Sequence, residues 1–550
     1  MHLAAFMKFP LLAADIAALC RVRALRGASV SLQPRAMASA AGIPTWENVY
    51  INGQWSRPAS PEKFCDVIDS NTGKVCARVP AGGAKDVEKA VAAAREAFPS
   101  WAEKPLDERK AILLKVLEKW QGKKAQATEW LCKELGCTTA FAKNVQVNMV
   151  DFHLGTSLKL VDMVKFEERM AFGSLVVREP IGVVGCITPW NYPLNQIAAK
   201  VFPAMLVGCT IVLKPSEVTP VCAYLLAEAV HEAGVPAGVF NMLMGDGPNC
   251  GEAIAAHPGV DMVSFTGSTR AGKRISEVGA QTLKVVRTEL GGKSAALLLE
   301  DADMPKLVPK FMQTLMNNSG QSCNALSRML VPRSRYDEAV GIAKQVAEQT
   351  TVSFAQDDKA SIGPLASQAQ WDKVQGYIHA GIKEGARLVT GGSGKPDGLS
   401  DGFFVKPTVF ADVQMEAVVM AGHNAVLEPS EAMYLRSADY GHHVACAYLL
   451  TGVVHEAKIP SDMLNMLVMG TTSKAAWDPL VPLMCPVPLA TCDGSEMQAG
   501  LPLKPCQDDD NLCDNEDSLS DTEGDEELDW WNPGGFSDQE DGYAPDCPCD

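Results

Sequence analysis

Between Val183 and Leu299 the chain alternates short, unbroken apolar runs with amphipathic segments, and few architectures accept that pattern. The runs are VVGCITP from Val183, TIVLKP from Thr210, FNMLMG from Phe240, MVSFTG from Met262 and SAALLL from Ser294. Continuous apolar strands are buried on both faces, and helices between them must cross over, which implies a parallel sheet covered on both sides. The segment TPVCAYLLAEAVHEAGVP is read as one such helix, with Thr219 as N-cap, Pro220 in the first turn, Gly234 as C-cap and Pro236 beyond. Upstream, GAKDVEKAVAAAREAFPSW has helical spacing and is expected to open near Asp86 and stop at Pro99. The fold class is therefore α/β.

Ligands of such sheets sit at the carboxyl ends of the strands. That directs attention to Thr188–Asn191, Lys214–Glu217, Gly245–Gly251 and Gly267–Gly272. GDGPNCG, from Gly245, matches a dinucleotide fingerprint only loosely, and such a turn arises often without a ligand. FTGSTRAG is better placed: Ser268 opens a helix whose N–H groups favour phosphate, and Gly267 and Gly272 permit close approach of the backbone. Lys214 and Glu217 can be read as a surface ion pair or as a clamp on a ribose.

Charge excludes one class of partner. The formal net charge is −17, yet residues 505–550 carry 17 Asp and Glu and no Lys or Arg, so the remainder balances to zero. The body gives no ground for nucleic-acid binding, and the acidity belongs to residues 508–550, read as a disordered tail. No apolar run has membrane-spanning length. The 17 cysteines are irregularly spaced and fit no zinc pattern, which suggests reduced thiols in an intracellular compartment, and no metal site is expected. Residues 1–45 are rich in Arg and Ala and nearly free of acids, as in a mitochondrial transit peptide; the alternative is a disordered extension on a cytoplasmic protein. The pair His442-His443 lacks partners at ligand spacing.

Five stretches occur in order: ITPWNYPL (Ile187–Leu194), VLKPSE (Val212–Glu217), SFTGST (Ser264–Thr269), TELGGKS (Thr288–Ser294) and NSGQSC (Asn318–Cys323). Together they resemble the aldehyde dehydrogenase superfamily, most closely its NAD-dependent members of broad aldehyde range, over residues 46–413. The resemblance implies a Rossmann-like cofactor domain over 46–290, with part of an oligomerisation hairpin near 160–180. It implies an α/β catalytic domain over 291–414, cut short. It gives Cys323 as the nucleophile, Glu289 as the general base, and the Asn191 amide with the Cys323 N–H as oxyanion donors. It implies NAD contacts from Trp190, Lys214, Ser216, Glu217, Gly267, Ser268, Gly272 and Leu290, and places Lys200 near the site. A carboxylate at Glu217 disfavours a 2′-phosphate, so NAD is expected over NADP. The partners implied are a small aldehyde and further copies of the chain.

The resemblance lapses after Val413. The family's Glu-Glu-Ile-Phe-Gly-Pro run and the interface strand beyond it have no counterpart in residues 415–507, which are read as an unmatched segment, whether a misread gene, a spliced variant or a new domain. Two other functions stay open on the sequence: a non-catalytic relative that only binds, and an enzyme passing the acyl group to coenzyme A. Retention of Glu289 argues against the second.

Overall fold

The computed structural model describes residues 37–38 and 42–413. These lie within Met1–Met484, one of two units of the chain; the other is Cys485–Asp550. The expectations about residues 1–36, 415–507, His442-His443 and the acidic tail fall outside the described residues.

The strands that build the main sheet are β1 (Val49–Ile51), β2 (Gln54–Ser56), β3 (Val183–Ile187), β4 (Thr210–Lys214), β5 (Phe240–Met242), β6 (Met262–Gly267) and β7 (Val285–Leu290). Their spatial order is β7-β6-β3-β4-β5-β1-β2. The five strands from β7 to β5 run parallel, and the hairpin β1-β2 closes the far edge antiparallel. Chain order reverses between β6 and β3, and a cleft for a ligand opens at such a switch point.

Burial alternates with the pleat. Ile211 and Leu213 of β4 face a core shared with Phe202, Met205, Tyr224 and Leu226, whereas Val212 faces one shared with Val91, Ala94 and Ile254. The first face is covered by α2 (Pro193–Leu206) and α3 (Val221–Glu232), the second by α1 (Ala84–Ala102) and α4 (Thr269–Ala280). Every residue of β3 and β4 is buried, as a doubly covered parallel sheet requires.

Three local expectations need correction. Helix α1 does not stop at Pro99 but runs to Ala102 with Pro99 inside it. The lost hydrogen bond is offset by Trp101, which is 1% exposed and donates its indole N–H to the Met205 carbonyl at 3.0 Å. The cap of α3 is Pro220, not Thr219. The Thr219 hydroxyl donates instead to the Trp190 carbonyl at 3.0 Å, and the buried Glu134 carboxylate takes over the cap, accepting from the N–H of Val221 (3.0 Å) and Cys222 (3.3 Å). Gly234 follows the helix with φ +73°, a value that suits glycine.

The run at Ser294 does not join the main sheet. Its strand β8 (Ala295–Leu297) pairs in parallel with β9 (Arg328–Leu330) in a separate two-stranded sheet. The fifth parallel strand is β7, half-exposed and therefore not an apolar run. Gly291 and Gly292 separate the two strands and let the chain leave the sheet. Against β8 and β9 pack α5 (Met304–Met316) and the helix Tyr336–Gln349, through Val308, Met312, Ala339 and Ala343. Near 160–180 the strands Glu167–Arg169 and Leu175–Val177 form an antiparallel hairpin.

Candidate active site

Strand register levels the relevant residues. Phe265 pairs with Ile187, Thr266 with Glu289 and Gly267 with Leu290. The carboxyl ends of β3, β6 and β7 thus bring Thr188, Thr266 and Glu289 to one rim of the sheet. After β3 the chain turns through Trp190 and Asn191 into α2.

The loop carrying Cys323 meets this rim. Asn318 (φ +53°), Ser319 (φ +56°) and Gly320 (φ +77°) are successive left-handed residues, and the first two are strained positions for side chains. The strain is held by hydrogen bonds. Asn318 Nδ2 donates to the carbonyls of Asn191 (2.9 Å) and Gln321 (3.2 Å), and Gln321 Nε2 returns to the Asn318 carbonyl at 3.0 Å. Ser319 Oγ donates to the Gly363 carbonyl at 2.8 Å, and Gln321 Oε1 accepts from the Ala366 N–H at 2.9 Å. Asn191 Nδ2 donates to the Gln321 carbonyl at 3.0 Å, so the candidate oxyanion donor and the nucleophile loop are directly joined. Tyr192 Oη lies 2.6 Å from Ser322 Oγ, one residue before Cys323.

Cys323 is distinguished by access. Nine cysteines fall among the described residues, all as free thiols, and Cys323 alone is exposed; Cys209 and Cys250 are buried. Its thiol is nonetheless held above the ordinary value: the protein around the sulfur desolvates it, the charge of Glu289 adds to this, and the N–H groups of Cys323 and Asn324 work against both. Glu289 sits exposed on β7, and its charge is felt by Cys323 and by Lys200. Burial lowers the Lys200 ammonium, while Cys186 and Glu289 hold it up. The loop after β7 touches the nucleophile loop, since a Cβ built on Gly292 would stand 3.2 Å from the Cys323 carbonyl.

The expected cofactor residues lie along the same rim and beyond it. Lys214 is 3% exposed, so its pair with Glu217 (3.0 Å) is not a surface contact; Glu217 itself is 38% exposed. Ser216, also buried, accepts from the Val218 N–H at 3.2 Å and fixes the turn between them. Ser268 caps α4, accepting from the Ala271 N–H at 3.2 Å. Gly272 and Gly267 also lie close to neighbouring side chains: a Cβ on Gly272 would meet Leu290 Cδ2 at 2.6 Å, and one on Gly267 would meet the Phe265 ring at 2.5 Å. Trp190, half-buried, is held through its carbonyl by Thr219.

Two buried hydroxyls at the switch point, Thr188 Oγ1 and Thr266 Oγ1, have no partner among the described residues. Buried polar atoms are normally satisfied, and this pair flanks the cleft where a dinucleotide would lie, so the residues present fit one. Among the described residues no group of three His, Cys, Asp or Glu side chains gathers to hold a metal, and no helix is long and apolar enough to cross a membrane. The sequence reading gave no role to Gln146, Asn318, Thr266 and Tyr192, and reached Thr188 only as the first residue of the stretch Thr188–Asn191. All but Gln146 fall inside or beside the five motifs; Gln146 has no motif to mark it.

Comparison with known proteins agrees with this arrangement. The profile of the "Aldehyde dehydrogenase family" matches residues 55–422. A 3-succinoylsemialdehyde-pyridine dehydrogenase from a Pseudomonas species is 45% identical over 375 residues, 68% of this chain and 78% of the relative. Among solved structures, a mutant of aldehyde dehydrogenase C from Pseudomonas syringae, complexed with NAD+ and octanal, superposes with a TM-score of 0.67 at 42% identity, over 68% of this chain and 77% of that one. An aldehyde dehydrogenase of Mycobacterium tuberculosis, complexed with NAD+, gives a TM-score of 0.65 at 39% identity, over 68% and 78%.

Proposed function

The chain belongs to the aldehyde dehydrogenase family, and from that premise we propose that it oxidises an aldehyde to a carboxylic acid with NAD, through an acyl group carried on Cys323. The observation that carries this reading is that Cys323 is the exposed thiol among the described residues, within reach of the charge of Glu289 and joined through Gln321 to the Asn191 amide.

The side chains divide the work. The Cys323 thiolate adds to the aldehyde carbon, and the carbonyl oxygen becomes an oxyanion on a thiohemiacetal. An amide nitrogen has two hydrogens. One of those on Asn191 is spent on the Gln321 carbonyl, which fixes the group; the other is left for the oxyanion, together with the Cys323 N–H. A single such donor is worth on the order of 100- to 1,000-fold in rate. NAD, when bound, supplies the acceptor for the hydrogen and electron pair that leave the carbonyl carbon. Lys214 and Glu217 would hold its adenosine ribose, and the start of α4 at Ser268 its pyrophosphate, with Trp190 and Leu290 along the cleft. Cys323 retains the acyl group as a thioester. Glu289 then removes a proton from water as the oxygen attacks the acyl carbon, and the C–S bond breaks to return the thiolate. Exposure of Glu289 suits a base whose partner is water.

Assembly with further copies of the chain is part of the same proposal. The hairpin near 160–180 presents Met170, Leu175, Val177 and a fully exposed Phe172. Apolar side chains gathered on a projecting hairpin favour a partner surface.

The reading is tested with Glu289→Gln. Mixing with aldehyde and NAD should give one burst of NADH per active site and then a stall, with the acyl mass on the Cys323 peptide after acid quench. No burst with an unchanged steady rate removes Glu289 from the role, and an acyl mass elsewhere removes Cys323.

A further inference from the structure

The Asn191 backbone carbonyl carries more than its side chain's role requires. It accepts from two buried amides: Gln146 Nε2 at 3.1 Å and Asn318 Nδ2 at 2.9 Å. Gln146 is 0% exposed and Asn318 4%. Asn318 belongs to the nucleophile loop, but Gln146 comes from a short turn, Gln146–Asn148, that opens the helix Met149–Leu160. That turn is itself anchored, since the buried Trp120 donates its indole N–H to the Val147 carbonyl at 3.0 Å. Gln146 touches neither the thiol loop nor the cofactor residues through any hydrogen bond among the described residues. Its Oε1 is buried with no hydrogen-bond partner among the described residues, so the residue costs stability where an apolar side chain would not.

We propose that Gln146 is a positioning residue for the oxyanion donor: by holding the Asn191 carbonyl together with Asn318, it fixes the peptide from which the Asn191 amide projects over Cys323. The inference rests on the roles of Cys323 and Asn191 proposed above. Three hydrogen bonds to or from Asn191 leave its backbone and side chain little freedom: Gln146 and Asn318 on the carbonyl, Gln321 on the amide. Pre-organised donors cost no reorientation when charge develops, and this is the basis of oxyanion stabilisation. Removing one of the two carbonyl partners should let the peptide rotate and the amide drift, without disturbing the thiol.

The test separates the donor from the nucleophile. Trifluoroacetone forms a tetrahedral adduct: the Cys323 sulfur bonds to the carbonyl carbon, the C=O π bond becomes the oxyanion, and the thiol proton leaves to solvent. Iodoacetamide alkylates the same sulfur with loss of iodide and generates no oxyanion. In Gln146→Met, adduct affinity should fall roughly tenfold, the worth of one hydrogen bond, while the alkylation rate of Cys323 stays within about twofold. In an Asn191→Ala background the same Gln146→Met change should have no further effect on adduct affinity, because the group it positions is gone. Gln146→Leu serves as a second variant should the first fail to fold. Unchanged adduct affinity overturns the proposal. So does a loss that persists in Asn191→Ala, or one matched by equal loss of alkylation, since either marks a general structural role. Failure of iodoacetamide to label Cys323 in the unsubstituted protein would instead refute the underlying reading of the nucleophile.

Discussion

The Glu134 carboxyl gives the fold a pH dependence that can be worked out. It is wholly buried, in the helical turn Leu131–Leu135, and it caps α3 through the Val221 and Cys222 N–H groups. Burial pushes it from its ordinary 4.5 up to about 7, against the pull of those N–H groups. The unfolded chain ionises Glu134 at its ordinary value, whereas the folded chain keeps the proton to about 7, so between the two the folded state binds more protons and stability falls as pH rises. The interval from 4.5 to about 7, at about 1.4 kcal/mol per pH unit, comes to about 3 kcal/mol. Glu134→Gln stays neutral throughout. It loses one acceptor for the two N–H groups, but that loss is the same at every pH. Urea unfolding followed by tryptophan fluorescence should therefore show the wild-type protein losing about 3 kcal/mol relative to Glu134→Gln as pH rises through this window, with no further divergence above it. Parallel stability curves, or a wild type that gains on the variant with rising pH, would refute the argument.

Alkylation of Cys323 by iodoacetamide should follow a midpoint above that of an ordinary thiol, because the protonated thiol is inert and desolvation of the sulfur by the protein around it delays its ionisation. Glu289→Gln should lower that midpoint only part-way, as desolvation, the larger cause, remains; an unmoved midpoint would detach Glu289 from the thiol. Peptide mapping of the same reaction should leave the buried Cys209 and Cys250 unlabelled in the folded protein. NAD should be used in preference to NADP by roughly 10- to 100-fold in kcat/KM: like charges in contact cost several kcal/mol, and the partial exposure of Glu217 screens some of this. Glu217→Gln should narrow the gap, and equal efficiency in the unsubstituted protein would mean that Glu217 faces elsewhere.

What the sequence disclosed depended on how each element is buried. Strands β3 and β4 are covered on both faces, so their apolar runs were plain, and the turns after them located Asn191 and Lys214. Strand β7 lies at the sheet edge with Arg287, Thr288 and Glu289 exposed, so it left no run to read, and the apolar stretch at Ser294 was mistaken for a member of the same sheet. Pro99 misled because a local rule was outweighed by a distant contact, that of Trp101 with Met205. Thr219 misled because a buried carboxylate 85 residues earlier in the chain, Glu134, supplies the cap. The motifs displayed the residues that face ligand or solvent. They could not display Gln146, whose contact with Asn191 exists only through the packing of two helices far apart in sequence.

The two catalytic motifs are also bound to each other sterically, which explains why neither is informative alone. Glu289 needs water, and the edge strand gives it that; Cys323 needs a fixed place beside the Asn191 amide, and the hydrogen-bonded Asn318–Gly320 turn gives it one. The two places must adjoin, since the base acts on the acyl group the thiol carries. Gly292 makes the junction. With no side chain it lets the chain leaving β7 lie against the Cys323 carbonyl, where any Cβ would stand 3.2 Å from the oxygen. Such a contact is tight enough to push one loop away from the other, and the nucleophile loop has no slack to absorb it, being pinned through Asn318, Ser319 and Gln321. The displacement needed is a few tenths of an ångström, a fraction of the roughly 1 Å shift in reacting groups that costs on the order of 100-fold in rate. Gly292, just after Glu289, and the hydrogen-bonded turn before Cys323 are therefore two halves of one geometric constraint, set by the edge of the sheet on one side and by the Asn191 peptide on the other.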